Sequence, residues 1–148
     1  MKIYKYWLDE DGKKRTDLSP SLIDLRLTGG GWIVDEKATT AKLRDGDERD
    51  GEMIVLYYNS VLKSGGTTPL FADGIAIDGS IAAKVKETVT TNADGWTNIT
   101  TVYEYDGASF MLEAEVDAVQ THNAQSAIKS AWGVDVTVGA DGSLTLRP

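Results

Sequence analysis

The chain has 148 residues, 41% of them hydrophobic, which is enough for one domain, residues 1–148, with a sizeable core. A formal net charge of −8 argues against nucleic-acid partners and against adsorption to anionic membranes, since both need clustered Lys and Arg. Because cysteine is absent, disulfides, thiol catalysis and thiolate metal sites are excluded. No window approaches the roughly 20 apolar residues of a spanning helix, so we predict no membrane insertion.

Short strand-like segments separated by turn residues dominate the chain, a spacing typical of an all-β sandwich. The candidate strands are residues 2–8, 24–28, 32–34, 53–59, 74–77, 83–91, 98–105, 110–121, 134–138 and 143–146. Tight turns are marked by Asp11-Gly12, Asp94-Gly95, Asp106-Gly107 and Asp141-Gly142, which suit hairpins. We predict antiparallel meanders in the C-terminal half and, overall, a jelly-roll-like antiparallel β-sandwich with one or two short helices.

The segment FMLEAEVDAVQTHNAQSAIKSAW, residues 110–132, changes from a strand period to a helix period. Its strand part predicts an acidic outward face and an apolar inward face, the latter formed by Phe110, Leu112, Ala114, Val116 and Ala118. Beyond Gln120, alanines recur at helical spacing, with Asn123 as a candidate N-cap and Gly133 just past the end. We predict a helix at 123–132 with a buried Trp132, and a shorter helical turn at 20–23 capped by Ser19.

The acidic segment KLRDGDERDGE, residues 42–52, contains the candidate ligands for a hard cation, which are Asp45, Asp47, Asp50 and Glu52. The EF-hand spacing is not met, because the sixth and twelfth positions counted from Asp45 are Asp50 and Leu56. A solvated acidic loop is the favoured interpretation, and an irregular cation site is the alternative.

Catalytic motifs are missing from the sequence. His122 is the sole histidine, so an HExxH zinc pair cannot form, and a Ser/His/Asp triad would have to be built around this residue. Glu113, Glu115 and Asp117 share one strand face, but nothing in the sequence identifies a partner carboxylate for glycosidase-type chemistry. We therefore expect no enzymatic activity and no cofactor.

Aromatic residues are numerous enough to form a sugar-stacking platform, although core filling is the favoured role for most of them. Trp96, in the NADGW turn, is the expected exposed aromatic and the candidate ligand contact.

Three segments together resemble a known family. The block from Phe110 through Val119 and Gln120 to Trp132 is similar to the C-terminal signature of the TasA/camelysin-like family, exported bacterial proteins with a SipW-dependent type of signal peptide. Residues 55–71, VLYYNSVLKSGGTTPLF, resemble the family block that here comprises Tyr57, Tyr58, Pro69, Leu70 and Phe71. Residues 3–23 resemble the strand, turn and short helix that precede a Gly-Trp segment in the family.

This resemblance implies a non-catalytic structural protein of the cell surface or biofilm matrix, which in fibre-forming relatives assembles by β-strand addition. The implied partner is a second copy or a related matrix subunit, and the implied location is extracellular. No apolar run follows Met1, so we expect an N-terminally truncated domain that lacks the family's signal peptide and first strands. Such a domain would associate through an open edge at 2–8, or its gap would be covered by the C-terminal hairpin.

Two other functions stay open at this point. One is an extracellular carbohydrate- or host-ligand-binding module, which needs exposed aromatics beside carboxylates or amides. The other is a camelysin-like peptidase, for which the sequence offers no ligand set.

Overall fold

The computed structural model describes residues 1–44, 46–47, 49 and 51–147. Within this range the chain forms eleven strands, one α-helix and two 3₁₀ segments, Pro20–Leu22 and Gly79–Ala83. The strands are β1 (Lys2–Leu8), β2 (Lys14–Arg15), β3 (Ile23–Leu27), β4 (Trp32–Val34), β5 (Met53–Tyr58), β6 (Ala72–Ile77), β7 (Val85–Thr91), β8 (Thr97–Tyr103), β9 (Ser109–Glu115), β10 (Val136–Val138) and β11 (Leu144–Leu146), and the helix is α1 (Ala124–Trp132). The predicted all-β, sandwich-like fold is confirmed, with every strand pair antiparallel.

A central sheet organises the molecule. Its hydrogen-bonded order is β2-β1-β5-β4, and β9 pairs with the other side of β1 along all seven residues. Strand β1 is therefore interior, with β9 on one side and β5 and β2 on the other. The expectation of an open edge at 2–8 is wrong, because β9 covers that edge.

One face of the central sheet packs against the β3–β6 pair. Strand β1 alternates so that Ile3, Lys5 and Trp7 are buried, and the leucines of β3 pack against Ile3 and its neighbours on β5. Lys5 is fully buried, and its Nζ donates a hydrogen bond to the carbonyl oxygen of Ile23. Burial lowers the pKa of the Lys5 ammonium, because an apolar environment disfavours its charged form.

The opposite face is covered near β5 by α1 and the β10–β11 hairpin. Val55 and Tyr57 of the sheet pack against Ile128, Val136 and Leu144. The C-terminal hairpin thus lies over one face of the sheet, and its predicted role in covering a gap left by missing strands stays a prediction. Asn123 occupies the predicted N-cap position of α1, but its backbone is left-handed, φ 54°, and its side chain makes no capping bond. Within the described residues no helix has the length and apolarity to cross a membrane.

The β7–β8 pair projects from this body. All residues of both strands are exposed, and the pair forms a separate two-stranded sheet. The predicted meander fails after it, because the Asp106-Gly107 turn leads not to a β8–β9 pairing but to β9 beside β1. The apolar row of β9 continues the buried face of β1 across the sheet, with Ala114 opposite Ile3 and Phe110 opposite Trp7, which explains this non-local choice.

Candidate functional site

Three seven-residue strands keep an open edge in the described part of the chain. Strand β9 pairs only with β1, and β7 and β8 pair only with each other, so each of the three has one side without a described strand partner. A strand edge presents unpaired backbone N–H and C=O groups, which are a template for a further strand. These edges are the main candidate interaction surface.

The two faces of β9 differ in character. Glu113 and Glu115 point to the side that carries Lys2, Tyr4 and Tyr6 of β1, with Lys2 Nζ 3.5 Å from a Glu115 carboxylate oxygen and the Tyr6 hydroxyl donating to Glu113 at 3.2 Å. The register therefore places Lys2 and Tyr4, not carboxylates, directly opposite these two glutamates. A glycosidase-type pair with β1 is not formed.

The other face of β9 carries Phe110, Leu112 and Ala114. The prediction that this face is buried is wrong: Phe110 is 41% exposed and Val116, beyond the end of the strand, is 70% exposed. Phe110 contacts Trp7 edge-on, with ring centroids 6.5 Å apart, but its strand lies at the sheet edge and is covered on one side only. The predicted strand 110–121 is shorter in the structure and ends at Glu115, which lies opposite Lys2, the first residue of β1.

The projecting hairpin also has two distinct faces. The register places Val85 opposite Tyr103 and Val89 opposite Ile99, so these four apolar residues lie on one exposed face. Lys86, on the adjacent position of β7, points to the other face. Trp96 lies in the turn at the tip, where it is 74% exposed and its backbone N–H bonds to the Asn92 side chain at 2.9 Å. Its exposure agrees with the sequence, and its role as a ligand contact stays a prediction.

A separate aromatic groove lies between the end of β5, α1 and the β10–β11 turn. Its volume is about 660 Å³, and its aromatic lining is Trp32, Tyr57, Tyr58 and Trp132. The Tyr57 and Trp132 rings are 5.6 Å apart, and those of Trp32 and Tyr58 are 5.4 Å apart. Burial raises the pKa of the Tyr57 hydroxyl. Trp132 is half-buried against the core, less than predicted, because one side of the ring lines the groove.

The family-signature residues divide around this groove. Tyr57, Tyr58, Val119 and Trp132 line it, and Pro69 and Phe71 contact Trp32, whose indole N–H donates to the Pro69 carbonyl at 3.0 Å. Leu70 and Gln120 are exposed, and Phe110 lies apart from the groove on β9. Trp32 is the centre of this cluster, and it is the tryptophan of the Gly-Trp segment in the family resemblance.

A second aromatic cluster lies around Trp7 and fills the core, the role that the sequence favours for most of the aromatic residues. Tyr105 packs edge-on against Trp7 at 5.0 Å, and its hydroxyl accepts the backbone N–H of Ser19 at 3.0 Å. Strand alternation predicts that Tyr103 and Tyr105 share a face, but β8 ends at Tyr103 and the chain turns, so only Tyr105 reaches the core.

The candidate cation loop is only partly within the described residues, since Asp45 and Asp50 lie outside them. Asp47 is held by Arg49, with Nη2 to Oδ2 at 2.6 Å, and it also accepts the backbone N–H groups of Leu43 and Arg49. These bonds, led by those from the Arg49 side chain, hold the pKa of Asp47 well below its usual range. Glu52 forms an ion pair with Lys14. Both described carboxylates thus have cationic partners from the protein itself.

Groups that could support metal or catalytic chemistry do not converge. Within the described ranges, no cluster of three or more His, Asp or Glu side chains has the arrangement of a metal site. His122 is exposed in the turn before α1. The described residues offer open strand edges and an aromatic groove, and among them no ligand set for a peptidase comes together.

Comparisons with protein-family models, with curated proteins and with solved structures find no match to this chain. The resemblance to the TasA/camelysin-like family therefore stays a prediction from the sequence blocks.

Proposed function

We propose that this protein is a non-catalytic structural component of a bacterial cell surface or biofilm matrix, which assembles with itself or with a related subunit by β-strand addition. The observation that carries this proposal is the set of open edges, on β9 and on the projecting β7–β8 hairpin, in the described part of the chain. The family resemblance supports the extracellular setting.

The hairpin supports assembly on energetic grounds. An isolated two-stranded hairpin is at best marginally stable in water, and this one buries none of its residues within the chain. Val89, Ile99 and Tyr103 are each more than half exposed. Pairing with another chain would bury this apolar face and satisfy the edge hydrogen bonds, so the projecting hairpin suits an element that becomes ordered in an assembly.

The test is self-association of the full chain. Sedimentation velocity over a wide concentration range should show species larger than the monomer, which grow with concentration. The matched variant replaces residues 85–103 by a short Gly-Ser linker, which the chain can accommodate because Glu104 N–H bonds to the Lys84 carbonyl at 2.9 Å. This variant should remain a folded monomer. A full chain that is monomeric at every concentration contradicts the proposal.

The aromatic groove favours a second candidate function, a carbohydrate- or host-ligand-binding module. Trp132 and Tyr58 line it together with Asp117 and Asp141, a combination that can stack on a sugar ring and accept hydroxyl hydrogen bonds. Titration with cello-oligosaccharides, followed by tryptophan fluorescence, distinguishes the two functions. A saturable change that Trp132→Ala removes and Trp96→Ala retains would favour the groove as the functional site.

A further inference from the structure

We propose that the subunit contact is formed by β7 of one copy and the open edge of β9 in a second copy, in an antiparallel register. This inference rests on the proposed function and specifies its partner and surfaces. It is derived from the side chains that the two edges carry.

The charges on the two strands are complementary. Lys84 and Lys86 lie two residues apart at the start of β7 and share one face of the extended chain. Glu113 and Glu115 share one face of β9. Opposite-charge pairs directly across two strands stabilise pairing, and like charges there oppose it.

The remaining faces are complementary as well. When Lys86 lies opposite Glu113 and Lys84 opposite Glu115, the antiparallel register places Val85 opposite Ala114 and Val89 opposite Phe110. The half-exposed apolar faces of the two strands then form one continuous row on the same side of the joined sheet. Two positions set a polar side chain opposite an apolar one, with Glu87 opposite Leu112 and Thr88 opposite Met111.

The second hairpin strand lacks this complementarity. On the face of the hairpin that carries Lys86, β8 presents Asn98, Thr100 and Val102. These side chains carry no charge to pair with the glutamates of β9. The β7 edge is therefore the better match to β9. Because β7 and β9 are different surfaces, the contact is head-to-tail, and repetition gives a filament or a closed ring rather than a symmetric dimer.

Charge exchange tests the contact directly. Lys84→Glu/Lys86→Glu and Glu113→Lys/Glu115→Lys should each weaken self-association by about tenfold or more, because each sets like charges against each other. Mixing the two variants should restore association, since each then offers an edge of opposite charge to the other. The single chain that carries all four substitutions should also self-associate.

Engineered cysteines test the register, and the chain has no native thiol to interfere. Val89→Cys mixed with Phe110→Cys should form a disulfide-linked heterodimer under mild oxidation, because the proposed register brings these Cβ atoms together. The matched control is Ile99→Cys mixed with Phe110→Cys. Ile99 lies on the same face as Val89 but one strand further from the contact, and it should cross-link far less.

The outcomes separate this inference from the proposed function. A chain that self-associates, but whose association neither charge exchange nor the cysteine pairs affect, overturns the β7–β9 contact and leaves assembly standing. A chain that is monomeric throughout overturns both. Failure of the mixed charge variants to associate, when the native chain does associate, also overturns the contact.

Discussion

The two hairpins β7–β8 and β10–β11 have the same kind of turn but differ in burial, since the first is exposed and the second packs on the core. Each turns at an Asp-Gly pair with the glycine at φ 82°. The longer hairpin has seven-residue strands that are wholly exposed, whereas the shorter one has three-residue strands whose Val136 is fully buried. Local sequence therefore forms the hairpin, and the apolar surface that it meets in space decides whether it joins the core or projects from it.

Deleting each hairpin is the strongest test of this contrast. Loss of residues 133–148 removes Val136 and Leu144 from the face of the central sheet and uncovers Val55 and Tyr57. We expect that variant to lose its cooperative unfolding transition and aggregate. The chain lacking residues 85–103 should keep a cooperative transition with little change in midpoint. Circular dichroism melting measures both transitions. If the two deletion variants melt alike, the two hairpins do not differ in their contribution to the core.

Tryptophan substitutions sharpen the same comparison at single residues. Trp7 is 3% exposed and its indole N–H donates to the Ser19 carbonyl at 2.8 Å, whereas Trp96 is at the hairpin tip. Trp7→Ala should lower the free energy of unfolding by about 3–5 kcal/mol, through a cavity and a lost hydrogen bond. Trp96→Ala should change it by less than about 0.5 kcal/mol. Urea denaturation gives both values, and equal effects would contradict the assigned burial.

Much of the fold was predictable because it depends on local pattern. The bounds of β1 and β4 agree with the sequence, and the helix begins one residue later than predicted, since strand alternation and helical spacing are properties of a few neighbouring residues. The pairing of β9 with β1 was not predictable from these patterns. It joins residues more than 100 positions apart, and the alternation of Phe110, Leu112 and Ala114 indicates an apolar face without indicating whether anything covers it.

The candidate sites were less predictable because they depend on contacts between residues that are far apart in the sequence. The sequence identified Trp96 as exposed, because a turn position is a local property. It did not identify the edge formed by β9, because an open edge depends on which strands fail to pair. At Lys5 two local signals conflict, because its charge favours solvent whereas its alternation with Ile3 and Trp7 favours the inward face. The structure buries Lys5 completely.

Lys5 also provides a pH-dependent test. Its pKa is lowered from 10.5 chiefly by burial, with Asp24 opposing the shift and Lys42 adding to it. Between the lowered folded pKa and 10.5 the unfolded chain binds the extra proton, so this group's contribution to stability rises with pH across that window and is lost as pH falls. In Lys5→Met this contribution is absent.

The expected result is a change in relative stability with pH. At pH 7 Lys5→Met should lie within about 1 kcal/mol of the native chain, because removing a buried charge offsets the lost bond to Ile23. As pH rises toward 10.5, the free energy of unfolding of the native chain should increase relative to that of Lys5→Met. Denaturation of both chains at several pH values measures this difference. If the free energies of unfolding of the native chain and of Lys5→Met vary in parallel with pH, the pKa of Lys5 is not shifted in the native chain.

The smallest expected effect is at His122. This residue is the only histidine, it is exposed, and the described residues contain no metal-binding cluster. Because a zinc peptidase needs at least two further ligands beside it, His122→Ala should change neither the melting temperature nor self-association. Metal analysis of the purified chain should find no stoichiometric zinc, and incubation with casein should give no cleavage that EDTA suppresses. Casein cleavage that both EDTA and His122→Ala abolish would contradict the structural function and would mean that assembly brings metal ligands together from different chains.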